Sequence, residues 1–328
     1  MGGRAIVTGG AGFIGSHLVD ALVERGDEVV VIDDLRSGHE SNLAGAQGRI
    51  ELMRADIARD PIEHIFRRED VVYHLAGMAD IVPSIERPRP YFETNVVGTF
   101  NVLEAARGAG ARRLIYAASS TCYGIPDSYP TPESAPIDTR YPYAQTKYQG
   151  EELVRHWHAC YRLSTVSLRL FNVYGPRSRT TGTYGAVFGV FLAQKLNGEP
   201  CTVVGNGEQT RDFTYVNDII DALVRAAEAR ATDGEVINVA SGKPQSVNHL
   251  VALLDAEKVH IPKRPGEPDC TWADIGKARR LLGWSPRVSF EEGVRIMLDH
   301  IQDWRDAPVW TPEKIDDATE NWFAHLSR

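Results

Sequence analysis

Short apolar runs alternate with amphipathic helical stretches through the first half of the chain. The apolar runs predict strands near 4–8, 28–33, 50–54, 71–76, 112–118 and 164–171. Apolar positions at helical spacing predict helices near 13–25, 90–109 and 142–162. Strands rich in Val and Ile that alternate with helices are typical of a parallel sheet covered on both faces. The pattern therefore predicts a doubly wound α/β architecture.

The pattern changes after Asn172, where Gly and Pro become frequent. The segment up to residue 211 is expected to form loops around one helix. A helix near 216–229 and a strand at 235–239 can return to the main sheet, and small helices and loops are expected beyond residue 241. We therefore predict a larger α/β domain and a smaller mixed α/β C-terminal domain. The first comprises residues 1–171 with a returning segment at about 212–240, and the second comprises 172–211 and 241–328.

The C-terminal segment predicts one more helix. Thr311 and Pro312 provide an N-cap and a first helical position. The apolar positions that follow at helical spacing are Ile315, Ala318, Trp322 and Leu326. Packing onto its own domain is the favoured role of this helix, and an interface with a partner is the alternative.

Composition narrows the class of protein. The 328 residues are 43% hydrophobic and 24% charged, as in an ordinary globular protein. A net charge of −8 without a long basic run disfavours nucleic-acid binding, although a local basic pocket for a small phosphorylated ligand stays open. The four cysteines have no metal-ligand spacing, so we expect no metal site and a reducing compartment; they are Cys122, Cys160, Cys201 and Cys270.

Two features of the hydropathy pattern bear on the cellular location of the protein. A strand that begins almost at the N-terminus leaves no room for a signal peptide. No apolar run approaches the length of a membrane span. We therefore expect a cytoplasmic protein without a membrane partner.

Candidate chemistry begins directly after the first predicted strand. Gly9, Gly12 and Gly15 have the spacing GxxGxxG and open the first predicted helix. Residues without a Cβ atom permit a tight turn and let a pyrophosphate approach backbone N–H groups at a helix N-terminus. The strand before the turn and the helix after it complete a dinucleotide-binding unit.

An acidic residue selects between the two nicotinamide dinucleotides. Asp33 lies eighteen positions beyond Gly15, at the end of the second predicted strand. A carboxylate there accepts hydrogen bonds from ribose hydroxyls and repels a 2′-phosphate, and Asp34 adds a second negative charge. We therefore predict NAD, with NADP as the alternative because Arg36 could pair with a 2′-phosphate. Asp56 follows the third strand, where it can reach the adenine edge or lie in a solvated loop.

Two further motifs carry candidate catalytic groups. Tyr143 and Lys147 are four residues apart, so a helix places both on one side. A nearby ammonium stabilises a phenolate, which can exchange protons with a sugar hydroxyl. A hydroxyl cluster follows the strand 112–118, where a parallel sheet presents its reactive edge. Ser119 is our first choice there for a proton relay and Thr121 the second; a simple turn is the alternative.

These residues together resemble the extended short-chain dehydrogenase/reductase family, specifically its nucleotide-sugar epimerases and dehydratases. The resemblance runs from Ala5 to about Trp284 and includes the glycine turn, Asp33, the serine cluster, the YxxxK motif and the segments 74–77, 95–99, 169–176, 205–207 and 211–213. It implies a Rossmann-type fold and a Ser/Tyr/Lys triad at Ser119, Tyr143 and Lys147.

The resemblance also assigns ligand contacts. Those expected for NAD are Gly9, Gly12, Phe13, Ile14, Gly15, Asp33, Asp34, Asp56, Ile57, Leu75, Ala76, Gly77, Asn95, Tyr143 and Lys147. Those expected for the nucleotide diphosphate are Asn172, Arg211 and Arg264. An arginine fork suits a diphosphate well.

Within the family the motifs most resemble the UDP-hexose 4-epimerases. The implied reaction begins when Tyr143, as phenolate, removes the proton of the 4-hydroxyl. Hydride passes from C4 to NAD, the 4-keto sugar rotates within the site, and hydride returns to the opposite face of the sugar. Dehydratases of this type carry an Asp-Glu pair at the positions of Ser120 and Thr121, and UDP-glucuronate decarboxylases usually have a glutamate in this cluster. One detail departs from galactose epimerases, which often have a lysine where this chain has Ala79.

The sugar is indicated less directly. In the 4-epimerases a gate residue lies seven positions after the diphosphate-binding arginine, and here that residue is Thr271, whose small side chain resembles enzymes that admit an N-acetyl group. The run 182–187 is also similar to N-acetylhexosamine epimerases. Arg177 and Arg179 could instead face a uronate carboxylate or lie in a solvated loop. We rank UDP-N-acetylhexosamine or dual specificity first, UDP-hexose second and UDP-glucuronate third.

Other functions stay open behind this ranking. A reductase that uses external NADPH shares the fold, and a catalytically silent NAD-binding module is the alternative from another class. The helices 90–109 and 142–162 resemble those that form a four-helix dimer interface in this family, so a homodimer is expected.

Overall fold

The computed structural model describes residues 2–178 and 186–326. Its strands are β1 (Arg4–Thr8), β2 (Glu28–Asp33), β3 (Ile50–Arg54), β4 (Val71–His74), β5 (Arg113–Ser119), β6 (Thr165–Leu170), β7 (Val173–Tyr174), β8 (Cys201–Val204), β9 (Thr210–Arg211), β10 (Thr214–Tyr215), β11 (Glu235–Val239), β12 (Gln245–Ser246) and β13 (Lys258–Ile261). Its α-helices are α1 (Phe13–Arg25), α2 (Ile81–Glu86), α3 (Pro88–Phe92), α4 (Thr99–Ala109), α5 (Pro142–Tyr161), α6 (Val187–Leu196), α7 (Val216–Glu228), α8 (Val247–Leu253), α9 (Gly276–Leu282), α10 (Phe290–Asp299) and α11 (Pro312–Leu326).

One parallel sheet organises the described part of the chain. Its strand order is β11-β6-β5-β4-β1-β2-β3, so the chain builds outward from β1 to β3, then restarts at β4 on the other side of β1. The reversal between β1 and β4 opens a crevice at the carboxyl ends of these two strands. This confirms the predicted doubly wound, Rossmann-like fold and places a ligand cleft beside the glycine turn.

Both faces of the sheet are buried, and successive residues of a strand point to opposite faces. Val7, Val31 and Ile115 join the core that includes α1 and α7. Ile6 and Val30 join the core on the other face, which includes α4 and α5. This two-sided burial explains why the strands read as nearly continuous apolar runs rather than as alternating patterns.

The helix predicted at 90–109 has a more complex course. The chain is helical from Pro88 to Ala109, but a π-helical turn at Glu93–Gly98 separates α3 from α4. Apolar periodicity cannot reveal such a turn because it adds one residue without ending the helix. The turn contains Asn95, whose role is described below.

The remaining strands form short two-stranded sheets apart from the main sheet. Short two-stranded pairings join β8 to β13, β9 to β12 and β7 to β10, and α6 precedes β8. The segment from α7 to β11 rejoins the main sheet. Strand β11 pairs with β6 in parallel, and α7 packs against α1. The described helices include none that is both long and apolar enough to cross a bilayer.

The predicted C-terminal helix is α11. Thr311 caps it through a hydrogen bond from the Lys314 N–H to the Thr311 Oγ1 (3.4 Å). Ile315 and Trp322 are buried, and the helix packs against α2 of the same chain. The favoured prediction is packing onto its own domain. The contact with α2 joins the helix to the larger predicted domain, whereas the hydrogen bond from the Trp322 Nε1 to the Pro265 carbonyl oxygen stays within the smaller one.

Candidate active site

The glycine turn connects β1 to α1 and adopts a conformation that side chains would obstruct. Gly9 has a φ of +71°, and a Cβ atom there would lie 2.6 Å from the Ala76 backbone nitrogen. A Cβ atom on Gly15 would collide with the Gly9 carbonyl oxygen. Gly12 is different, since a Cβ atom would meet only the Gly9 oxygen, at 3.2 Å. Its open side lies at the N-terminus of α1, where unpaired N–H groups favour a phosphate.

Asp33 ends β2 and lies under the turn. One of its carboxylate oxygens accepts a hydrogen bond from the Ala11 N–H (2.9 Å) and the other accepts from the Leu35 N–H (2.8 Å). Burial raises the pKa of this carboxyl, and the two N–H donors oppose that shift. Each oxygen keeps a further lone pair for a ribose hydroxyl, so the carboxylate fits the adenosine side of NAD.

Arg36 could in principle pair with the 2′-phosphate of NADP, but in this structure it already has acidic partners. Its guanidinium lies 3.0 Å from the Asp34 carboxylate and 3.2 Å from the Asp56 carboxylate. A 2′-phosphate would have to displace two carboxylates and approach Asp33 as well. The local charge therefore disfavours NADP.

Most of the predicted NAD residues line one cleft with an empty volume of about 1000 Å³. It is lined by Gly9, Gly12, Phe13, Ile14, Gly15, Asp33, Asp34, Asp56, Ile57, Leu75, Ala76 and Gly77. The sequence did not single out further lining residues, which include Ile32, Ser37, Met78, Thr94 and Ala117.

Three predicted NAD contacts, Asn95, Tyr143 and Lys147, are absent from the residues that line this cleft. Asn95 is the first of them. It is buried, its Oδ1 accepts from the Met78 N–H (2.8 Å), and its Nδ2 donates to the Met78 carbonyl oxygen (3.1 Å) and the Thr146 hydroxyl (3.0 Å). Its amide therefore holds the loop after β4 against α5. In this structure Asn95 supports the cleft indirectly, through its hydrogen bonds to the lining residue Met78.

A buried histidine extends this support. His74 accepts a hydrogen bond at Nδ1 from the Thr8 hydroxyl (2.7 Å), and its Nε2 lies 2.9 Å from the Thr99 Oγ1. Because the Thr99 hydroxyl donates to the Asn95 carbonyl oxygen (2.7 Å), the Nε2 must be the donor to Thr99. Burial, with Lys147 adding to it, lowers the pKa of His74 to about 3, so the imidazole is neutral.

The catalytic candidates meet at the end of β5. The Tyr143 hydroxyl lies 3.4 Å from the Ser119 Oγ, and the Ser119 and Thr121 hydroxyls are 2.8 Å apart. Ser119 also caps the 3-10 turn Ser120–Tyr123 by accepting from the Thr121 N–H. The two sequence motifs therefore form one chain of hydroxyl groups, in which a proton can pass between neighbours.

The protein alone does not favour an ionised tyrosine. Burial raises the pKa of Tyr143, although the Ser119 hydroxyl opposes this shift. Burial also lowers the pKa of Lys147 to about 7, while Glu151 acts in the opposite direction. The Lys147 Nζ lies 4.3 Å from the centre of the Tyr116 ring. Neither shift favours the phenolate, so its stabilisation by Lys147 stays a prediction.

Lys147 gives a prediction about stability and pH. Folding lowers the pKa of Lys147, so between about pH 7 and 10 the unfolded chain binds a proton more readily than the folded one. Burial of the charged ammonium therefore destabilises the fold most at or below pH 7, and this cost declines as the pH rises. We expect Lys147→Met to stabilise the NAD-free protein at pH 7, with a smaller gain at pH 9. Urea unfolding at both pH values measures this difference, and a gain independent of pH would contradict it.

Asp33 gives a prediction about cofactor choice. Asp33→Asn removes a charged acceptor, so we expect the Kd for NAD to rise by about 10-fold. We also expect the ratio of the Kd for NADP to the Kd for NAD to fall. Calorimetric titration of NAD-stripped protein with both dinucleotides measures the change. Asp127→Asn, at an exposed position, is the control. An unaltered NAD preference in the Asp33 variant would count against the assignment.

A second cleft, with an empty volume of about 1090 Å³, adjoins the hydroxyl chain. Thr121 and Ser120 line it on one side, and it contains the predicted substrate residues Asn172, Arg211, Arg264 and Thr271. The Thr271 hydroxyl donates to the Asn172 Oδ1 (2.8 Å) and accepts from the Asp212 N–H (2.9 Å). The structure therefore brings the predicted diphosphate and gate residues into one cavity beside the catalytic candidates.

Glu267 lies between the two predicted arginines and was not singled out from the sequence. Its carboxylate accepts from the Arg264 Nη1 (3.1 Å) and lies 3.8 Å from the Arg211 Nη2. The spacing of three residues from Arg264 was visible, but the Pro-rich surroundings gave no periodicity to interpret. In this structure, Glu267 partly neutralises the site in which a diphosphate would bind.

Arg177 lies away from this cleft. Its guanidinium is 2.7 Å from the Asp20 carboxylate on α1, and Arg177 is absent from the residues that line either cleft. The alternative in which it contacts a uronate carboxylate is therefore not favoured by its position. Arg179 and residues 182–185 of the run 182–187 lie outside the described residues.

Comparison with known proteins gives the family. The GDP-mannose 4,6 dehydratase family matches residues 6–297. The chain belongs to this family of extended short-chain dehydrogenases/reductases. It is 37% identical to UDP-glucose 4-epimerase of Mycolicibacterium smegmatis, over 89% of this chain and 96% of that protein. It is also 37% identical to UDP-glucuronic acid decarboxylase 3 of Arabidopsis thaliana, over 90% of this chain and 87% of that protein.

A solved relative supports the cofactor site. The structure of UDP-glucuronic acid 4-epimerase from Bacillus cereus, in complex with UDP-glucuronic acid and NAD, has a TM-score of 0.84 and 34% identity, covering 92% of this chain and 99% of that one. The chain is an NAD-dependent enzyme of the nucleotide-sugar epimerase, dehydratase and decarboxylase group. The identity is equal for an epimerase and a decarboxylase, so sequence similarity does not distinguish the two reactions.

Proposed function

We propose that this enzyme is a UDP-sugar 4-epimerase. The observation that carries the proposal is the hydroxyl chain Tyr143–Ser119–Thr121, which contains no carboxylate. Elimination of water needs an acid and a base beside the catalytic hydroxyl, and Ser120 and Thr121 occupy those positions. Thr121 also stands in the cluster where a decarboxylase usually has glutamate. Proton exchange at one hydroxyl is therefore the chemistry that these side chains support.

The roles of the residues follow from their positions. Bound NAD would accept a hydride from C4 and return it to the opposite face. Tyr143 would take the proton of the 4-hydroxyl and return it, with the Ser119 hydroxyl holding the sugar oxygen in hydrogen-bond range. Lys147 would orient the cofactor and help to keep Tyr143 ionised. Arg211, Arg264 and Asn172 would hold the diphosphate as a fixed pivot while the sugar turns.

A cavity of about 910 Å³ extends the substrate cleft and suits the nucleobase end. Asn172, Arg211 and Arg264 belong to both cavities. The further lining is mostly apolar and includes Val187, Phe188, Phe191, Val204 and Val247. A flat base packed between apolar side chains, with the diphosphate on the shared arginines, would direct the sugar toward Thr121.

The substrate we propose first is a UDP-N-acetylhexosamine, with UDP-hexose next and UDP-glucuronate third. Thr271 supports this order, because a small side chain in this cavity leaves room for an N-acetyl group. The placement of Arg177 against Asp20 removes one argument for a uronate.

The test is a product profile. Purified enzyme is incubated with UDP-GlcNAc, UDP-glucose and UDP-glucuronate, without added NAD and with it. We expect interconversion of the C4 epimers, fastest for UDP-GlcNAc. Loss of carbon dioxide or of water would identify a decarboxylase or a dehydratase instead, and net consumption of NADPH would identify a reductase. A lack of any turnover with NAD supplied would overturn the proposal.

We also propose a homodimer through α4 and α5. Phe100 and Tyr161 are 44% and 51% exposed, and each ring lies 5.4 Å from the Trp157 ring. An exposed aromatic cluster of this kind marks an interface. We expect Phe100→Asp to convert the dimer to a monomer in sedimentation velocity experiments, whereas Ile125→Asp, at another exposed apolar position, leaves it unaltered. A wild-type monomer would contradict the proposal.

A further inference from the structure

The C-terminal helix α11 is a part of the substrate cleft that the family match does not include. The match ends at residue 297, whereas α11 covers Pro312–Leu326. The Bacillus cereus structure is covered over 99% of its length yet accounts for 92% of this chain. Part of this chain therefore has no counterpart in that relative, and α11 lies outside the residues that the family matches.

One side chain of α11 reaches the cleft. Trp322 is 3% exposed, and it lines the cavity that also contains Thr121, Arg211 and Arg264. Its Nε1 donates to the Pro265 carbonyl oxygen (2.7 Å), and its indole ring lies 5.8 Å from the Arg264 Cζ. That distance is within the range of a cation–π contact. Trp322 therefore contacts both Arg264 and the backbone that follows it.

The same helix contacts the other wall of the cleft. It packs against α2, whose Ile81 and Val82 line the cavity. The Asn321 Nδ2 donates to the Glu86 Oε1 of α2 (3.1 Å). Helix α11 therefore connects α2 to the loop that carries Arg264.

An arginine that must hold a diphosphate loses side-chain freedom on binding, unless it is already ordered. The Arg264 side chain is 11% exposed, pairs with the Glu267 carboxylate and lies beside the Trp322 ring. We propose that α11 is a positioning element for substrate, in which Trp322 orders Arg264 for the diphosphate and closes the cleft between α2 and the Arg264 loop. This inference rests on the proposed role of Arg264 in binding the diphosphate.

The first test separates substrate binding from chemistry. Trp322→Ala removes the ring, so we expect KM for the UDP-sugar and Kd for UDP to rise about 10-fold, while kcat and NAD content change less than twofold. Trp322→Phe keeps a ring beside Arg264 and should recover most of the affinity. Equal affinity for UDP in the wild type and Trp322→Ala would overturn the inference, as would a loss confined to kcat.

The second test avoids the buried ring, in case Trp322→Ala unfolds. Asn321→Asp places a carboxylate opposite Glu86 at an exposed contact, and adding Glu86→Lys restores attraction. We expect Kd for UDP to rise about threefold in the single variant and to return in the double variant. An unaltered Kd for UDP in the single variant, or no recovery in the double variant, would contradict the proposed role of α11 in closing the cleft between α2 and the Arg264 loop. UDP titration needs no turnover, so a wild type that binds UDP without epimerising it would refute the proposed function alone.

Discussion

Tyr143→Phe is expected to reduce kcat for epimerisation by about 10²–10⁴-fold, with little effect on KM or on NAD binding. The Tyr143 hydroxyl is 3.4 Å from the Ser119 Oγ in the hydroxyl chain, and phenylalanine keeps the ring but cannot carry the proton. Its ring contacts with Tyr91 and Tyr141 should persist, so the fold is not disturbed. Steady-state kinetics on the preferred UDP-sugar measure the effect.

The matched control is Tyr148→Phe. Tyr148 lies on the same helix and contacts the cluster around Cys122 and Phe171 rather than the hydroxyl chain. We expect it to retain wild-type kcat. If the Tyr143 variant kept more than a tenth of wild-type kcat, or if both variants lost activity equally, Tyr143 would not be the proton carrier.

Glu151→Gln is expected to lower the free energy of unfolding by about 3–5 kcal/mol. The Glu151 and Arg169 side chains are both nearly inaccessible, and their carboxylate and guanidinium form two hydrogen bonds of 2.8 and 2.6 Å. Removing the negative charge leaves the Arg169 guanidinium buried without its counterion. The Tyr123 hydroxyl, which accepts from the Arg169 Nη1 (2.7 Å), cannot replace that charge.

Chemical unfolding of wild type and variant measures this loss. Glu152→Gln is the control, because Glu152 pairs with Arg155 at an exposed position one residue along the same helix, where we expect at most about 0.5 kcal/mol. The double variant Glu151→Leu, Arg169→Met removes both charges and should recover part of the loss. Equal effects of the Glu151 and Glu152 substitutions would show that the buried pair is not held as described.

The sequence predicted the parts of this enzyme that depend on local pattern. Buried parallel strands have long apolar runs, so β1, β2 and β3 have the predicted bounds. Gly9 and Asp33 are placed by short-range geometry, one by a turn and the other by the end of a strand. Tyr143 and Lys147 share a helix, and their spacing alone fixes their common side.

The features that the sequence pattern does not indicate depend on long-range packing. Glu267 meets Arg211 only after the chain has folded across 56 residues, and nothing near Glu267 in sequence indicates that contact. Asn95 is in a family motif, but its amide is used by Met78 and Thr146. The activating effect assigned to Lys147 depends on its burial, which spacing does not give.

In the proposed reaction, NAD stays bound and serves as a hydride store for a sugar that is oxidised and reduced at C4. The most direct measurement uses UDP-GlcNAc labelled with deuterium at C4 and mass and NMR analysis of the product. We predict that the C4 epimer keeps the deuterium at C4, with no label released to solvent and no added NAD required. A product that carries protium at C4, or label that appears in released NADH, would contradict this account.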